Sequence, residues 1–171
     1  MKRILGLVPA LVFVAGLTLA EEKAESKTTK QALQSLNDLI GTWRGTGEPN
    51  GTREEKQRNF WQEKIAWEWQ FKGKDVFLRA AFDKGKFFRT AELRYVPDKD
   101  CYRLTTATPD KETLVFEGKW EKKRLTLERA DEKKKETQRL VVSLLHANRY
   151  VYPFRHDFGD SLAVPAQCLA N

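Results

Sequence analysis

Apolar and polar residues alternate along most of this chain, and the stretch WQEKIAWEWQF, residues 61–71, does so most regularly. Trp61, Ile65, Trp67, Trp69 and Phe71 fall on one face, and Gln62, Lys64, Glu68 and Gln70 on the other, with Glu63 and Ala66 the exceptions. A period of two sends successive side chains to opposite faces of an extended backbone, so the pattern predicts a long strand with one face buried. The same period runs through VFLRAAF, FFRTAELRYV, CYRLTTAT, TLVFEGKW, RLTLERA, TQRLVVSLL and YVYPFRHDF. The connectors between them, such as KGKD, DKGK, PDKD and HANR, are short and built from turn residues. Counting TWRGTG first, about nine strands follow one another, and no helical stretch between them is long enough for a parallel crossover. The predicted class is all-β, an antiparallel meander closed into an up-and-down barrel because closure removes the exposed edges. A two-sheet sandwich is the alternative.

Two segments before the first strand follow other rules. Ala32, Leu33, Leu36, Leu39 and Ile40 recur at helical spacing and predict one short amphipathic helix ending at Gly41. The chain starts with MKR, an apolar run containing Pro9, and then the polar EEKAESKTTK. That layout predicts a secretory signal peptide over residues 1–20, cut after Ala20, and a secreted or periplasmic protein. An uncleaved anchor is the alternative, but the apolar run is shorter than the roughly 20 residues of a spanning helix. The expected organisation is a signal peptide (1–20), a disordered lead-in (21–31), the barrel with its helix (32–158) and a C-terminal tail (159–171).

Composition narrows the classes of partner. Without Lys2 and Arg3 the chain keeps 29 of its 31 basic residues against 24 acidic ones, a mild excess spread along the sequence. Nucleic-acid binders concentrate such charge in one stripe, so no nucleic-acid partner is expected. The remaining attraction suits, at most, an anionic cell-envelope component. The two cysteines, Cys101 and Cys168, could join in an oxidising compartment or stand as independent thiols. No Cys/His spacing of a zinc site occurs, and no G-x-S-x-G, P-loop or HExxH motif, so neither a metal nor a catalytic residue is expected. A monomer is expected.

The stretch LIGTWRGTG, residues 39–47, gives the fold a more specific face. A short helix runs into it, an unbroken meander follows, and Arg155 sits on the last strand in YPFRHD. This arrangement resembles the calycin superfamily, and most of all the lipocalin-like secreted bacterial domains. It is similar, more distantly, to nitrobindin-type haem barrels, whose first strand also carries G-x-W-x-G. The resemblance covers roughly residues 33–158, and the aspartate-containing turn motif of standard lipocalins has no clear match. It implies that Trp43 plugs the closed end of the barrel and that Arg155 packs across it. The residues alone agree in part: Trp43, Gly45 and Gly47 share one face, and glycine there lets the strand bend and large neighbours approach.

The inward-facing set is rich in rings, and the candidate ligand-binding residues are Trp61, Trp67, Trp69, Phe71, Phe82, Tyr95, Tyr102, Tyr150, Tyr152 and His156. Rings on inward positions either fill a barrel or line a cavity for a flat or long apolar ligand, and one end could be filled while the other stays open. The expected function is binding of a small apolar or amphipathic molecule. A packed structural or protein-interaction module of the cell envelope is the alternative. No cofactor is expected, although the nitrobindin-type resemblance would make His156 an axial haem ligand. Glu63 is the acid to watch, since burial raises a carboxyl pKa; it reads either as a residue of the barrel mouth or as an inward acid satisfied by Arg79 or Arg89.

Overall fold

A computed structural model describes residues 29–146, 149–157 and 164–170, and for residues 155–157 and 164–170 it describes the backbone alone. The expected signal peptide and most of the lead-in lie outside the described residues. Helix α1 (residues 29–34) and a 3-10 turn (Asn37–Leu39) lead into β1 (Gly41–Glu48). Thus residues 29–31, expected in the lead-in, already open the helix. A short helix α2 (Arg53–Arg58) precedes β2 (Trp61–Lys72). Then come β3 (Asp75–Asp83), β4 (Thr90–Val96), β5 (Cys101–Ala107), β6 (Thr113–Glu121), β7 (Arg124–Asp131) and β8 (Glu136–His146). The run YVYPFRHDF divides at Pro153 into β9 (Arg149–Tyr152) and β10 (Phe154–Asp157), and β11 (Val164–Ala170) ends the sheet.

The nine expected strands therefore appear as an antiparallel up-and-down barrel, with β9 and β10 both pairing β8 as one interrupted strand. Proline has no N–H to give to a ladder, which accounts for the break. The last strand corrects the expected tail. β11 lies between β1 and β9, with Gly45 opposite Cys168 on one side and Tyr150 opposite Cys168 on the other. The pairings β8–β9, β9–β11 and β11–β1 join the two ends of the meander into a ring. The stretch VPAQCLA carries a proline and small residues with no apolar–polar alternation, so the pattern that marks the other strands is missing from this one.

The registers also fix two barrel ends. Residues 29–40, the β2–β3 turn and the Pro97–Lys99 turn crowd one end, while the loops 84–89, 108–112 and 132–135 surround the other. The interior is filled by Leu33, Leu36, Leu39, Trp43, Ile65, Phe116 and the leucines of β3 to β8. One glycine shows how tightly neighbouring strands meet. An added Cβ at Gly118 would run into the backbone carbonyl of Thr126 on β7, which cannot move without parting the ladder. The substitution Gly118→Ala should lower stability by about 1–3 kcal/mol in urea denaturation, whereas Lys119→Ala, exposed beside it, should leave the midpoint unchanged.

Candidate ligand site at the barrel mouth

The end where the chain enters is sealed. The indole N–H of Trp43 donates to the Leu39 carbonyl oxygen at 2.8 Å, tying the last turn of the helical segment to β1. Its ring meets Tyr150 edge-on, with centroids 4.7 Å apart, so the expected closure by Trp43 has a tyrosine as its ring partner. Arg155 belongs to β10, five positions further along and opposite Arg139, and its side chain lies outside the described residues. Two further bonds hold the helical segment in place. Tyr102 donates its hydroxyl to the Ala32 carbonyl oxygen at 2.9 Å, and the Trp69 indole N–H donates to Asn37 Oδ1 at 3.0 Å. Burial pushes the Tyr102 hydroxyl pKa up, and Ser35 beside it pulls it part of the way back.

The candidate ligand residues therefore divide by end. Trp67, Trp69, Tyr95 and Tyr102 stand near the sealed end, since Trp67 lies opposite Gly41 and Tyr95 opposite Tyr102. Phe71 departs from the inward set: it is 61 % exposed, past the end of the β1–β2 ladder though still opposite Val76 of β3, and stacks on Trp69 at 5.9 Å. A strand end twists out of the barrel wall, so parity there no longer decides burial. Tyr150, Tyr152 and Phe82 line the interior, and Trp61 stands at the opposite end. His156 lies opposite Gln138 on the backbone, while its side chain is outside the described residues. Cys101 is a free, buried thiol; the side chain of Cys168 also lies outside them.

At the mouth the rings gather around residues that the alternation assigns to an ordinary strand. The sequence predicts β4 from Phe87, but the strand starts at Thr90, and residues 84–89 instead fold over the barrel end. Phe87 meets Trp61 at 5.5 Å and Phe154 at 5.3 Å; Phe88 meets Phe154 at 5.6 Å and Phe82 at 5.9 Å. Gly47 makes room for this cluster, since a Cβ there would enter the Trp61 ring. The apolar doublet Phe87–Phe88, followed by Arg89, was the available signal, because both residues cannot face one side of a strand.

Above these rings lies an open cleft of about 880 Å³. Its floor includes Phe87, Phe88, Leu114 and Phe154, and its rim carries Lys86, Asp110, Lys133 and Lys134. One wall is a buried polar network on β7 and β8. Arg129 donates to Gln138 Oε1 at 2.8 Å, Gln138 Nε2 donates to Glu136 Oε1 at 2.8 Å, and Arg129 lies 3.6 Å from Asp131. Below the rings, by contrast, the interior leaves a cavity of only about 20 Å³, close to the room one water needs.

Glu63 sits at this end, 4 % exposed on the inner face of β2. Neither expected arginine reaches it, because Arg79 and Arg89 are exposed. Tyr152 donates its hydroxyl to the carboxyl instead. Burial raises the Glu63 pKa above the ordinary carboxylate range, and the Trp61 indole and the Lys86 backbone N–H bring it part of the way back.

Among the described residues no group of three or more His, Cys, Asp or Glu side chains is placed to hold a metal ion, and no helix is long and apolar enough to cross a membrane. The chain matches no family model and no curated protein. Replacing Trp43 by Phe keeps the ring against Tyr150 but strands the buried Leu39 carbonyl, so it should cost about 1–3 kcal/mol in urea denaturation.

Proposed function

We propose that this protein is an exported, lipocalin-like barrel that binds a small apolar or amphipathic molecule at its mouth. The cleft above the Phe87, Phe88 and Phe154 rings carries the reading. Its volume falls within the range of roughly 300–1,000 Å³ typical of small-molecule sites, and it combines an apolar floor with a few fixed polar groups. The rings take the chain or ring system of the guest, while Lys86, Lys133 and the Arg129–Gln138 wall offer partners to a polar end. The filled interior beneath supplies rigidity, since the floor rings rest on a packed core. Export follows from the leader-like start of the sequence, and the envelope is where a carrier of apolar molecules through water is useful.

Purification from the native host, followed by mass analysis of co-extracted small molecules, should recover an apolar or amphipathic compound. The visible spectrum of the same sample tests the haem alternative through His156. With anilinonaphthalene sulfonate as the probe, Phe154→Ala should weaken binding about tenfold or more, while Phe71→Ala, far from the mouth, should leave it unchanged. Equal loss in both variants, or no binding by the unaltered protein, would overturn the mouth site.

A further inference from the structure

β1 and β2 are joined by EPNGTREEKQRNF, residues 48–60, which carries helix α2 and the dipeptide Asn50-Gly51. We propose that Asn50 is a site of spontaneous covalent modification, in which the Gly51 main-chain nitrogen displaces the side-chain ammonia, and that one of the two products undoes α2. The glycine follows from the helix cap. The Glu55 N–H donates to Thr52 Oγ1 at 3.3 Å, and the Thr52 N–H donates to Glu55 Oε2 at 2.8 Å. That carboxylate lies over Gly51, where a Cβ would run into Oε2, and the φ of Gly51 is 155°, a value that side chains disfavour. The capping box therefore demands a residue without a side chain at this position. Such a residue leaves its own main-chain nitrogen unshielded beside the Asn50 carboxamide.

Asn50 is exposed, and neither its side chain nor the Gly51 N–H has a hydrogen-bond partner among the described residues. The two reacting groups are free to approach each other. The other described asparagines are held. Asn37 Oδ1 accepts from the Trp69 indole, and Asp38 follows it; Asn59 donates its side-chain N–H to the Glu55 carbonyl oxygen at 3.0 Å, and Phe60 follows it. A carboxamide already engaged and a bulky residue at the attacking nitrogen both oppose the near-attack geometry that an intramolecular reaction needs.

The Gly51 nitrogen gives its proton to solvent and bonds to Asn50 Cγ, the Cγ–Nδ2 bond breaks, and ammonia leaves, which closes a succinimide ring. Water then opens the ring on either side. Attack at Cγ gives an aspartyl residue, whereas attack at the main-chain carbonyl carbon gives an isoaspartyl link that runs through Cβ and Cγ. The sum is a carboxamide and water going to a carboxylic acid and ammonia. The aspartyl form leaves the main chain and the capping box as they are. The isoaspartyl form lengthens the main chain directly before Gly51 and so shifts Thr52 against the Glu55 carboxylate. Helix α2 has six residues and buries none, so it depends on that box and on the Lys56–Glu48 ion pair at 3.0 Å. Without the box, Arg53, Lys56 and Arg58 become sites for a trypsin-type protease.

The test ages the purified protein in mildly alkaline buffer, with a mildly acidic sample as control because the amide must lose its proton to attack. Peptide mass mapping reads the amide-to-acid conversion at each asparagine, and methyl transfer by an isoaspartyl methyltransferase reads the isoaspartyl share. Conversion at Asn50 should run at least about tenfold faster than at Asn37 or Asn59, and Asn50→Gln should show none there. Equal rates at the three asparagines, or an equal rate in the acidic control, would overturn the site. Brief trypsin treatment then reads α2. The isoaspartyl fraction should be cut between residues 53 and 58 about fivefold faster than fresh protein. Freshly purified Asn50→Asp, which brings the charge without the longer main chain, should match the fresh protein. Conversion at Asn50 with no change in cutting would leave the modification site standing and overturn the loss of α2.

Discussion

A single indole holds this fold together across its seam. Trp43 donates to Leu39 and so fixes the entry of the chain, and its ring rests against Tyr150 near the exit. β11 then lies between the two strands that carry these residues. An up-and-down sheet of this length is stable in water only if its first and last strands find partners, and here one ring and one inserted strand supply both. With the ring of strands closed, the interior volume must be filled, and the helical segment does so from one side with Leu33, Leu36 and Leu39.

What remains is an asymmetry that bears on function. The entry end is sealed by backbone carbonyls that accept from Tyr102 and Trp43, contacts that cannot be broken without unseating the helical segment. The other end is covered by a loop of six residues whose side-chain contacts are ring on ring, Phe87 and Phe88 against Trp61, Phe82 and Phe154. Ring contacts are individually weak and geometrically tolerant, which is why the proposed function places the guest at the mouth. The cleft lies directly over those rings.

Much of the barrel was legible in the alternation of apolar and polar residues. Trp61 to Trp69, β3 and β5 to β8 follow a period of two because each has one face in the core. Helix α2 escaped notice because it buries no residue and therefore shows no apolar period; its capping box, Thr52 with Glu55, was the local signal. β11 escaped because VPAQCLA lacks the apolar–polar alternation of the other strands. At the site, Trp61, Phe82, Tyr152 and Glu63 were visible as inward positions, but which end each faces depends on register, which one strand's pattern does not contain. Phe77 shows the same limit from outside: it is fully buried on the outer face beneath the Arg94 guanidinium, 4.0 Å from its ring, a cover that parity cannot foresee.

The most direct measurement is the position of a bound guest. A ten-carbon alcohol carrying a photoreactive diazirine at its far end, bound to the folded protein and cross-linked, can be mapped by peptide mass. If the mouth is the ligand site, adducts fall on residues 84–89, on the 108–112 and 132–135 loops and around Phe154. Adducts confined to residues 29–40 and 97–99 at the sealed end, or scattered over the outer face of the barrel, would contradict it.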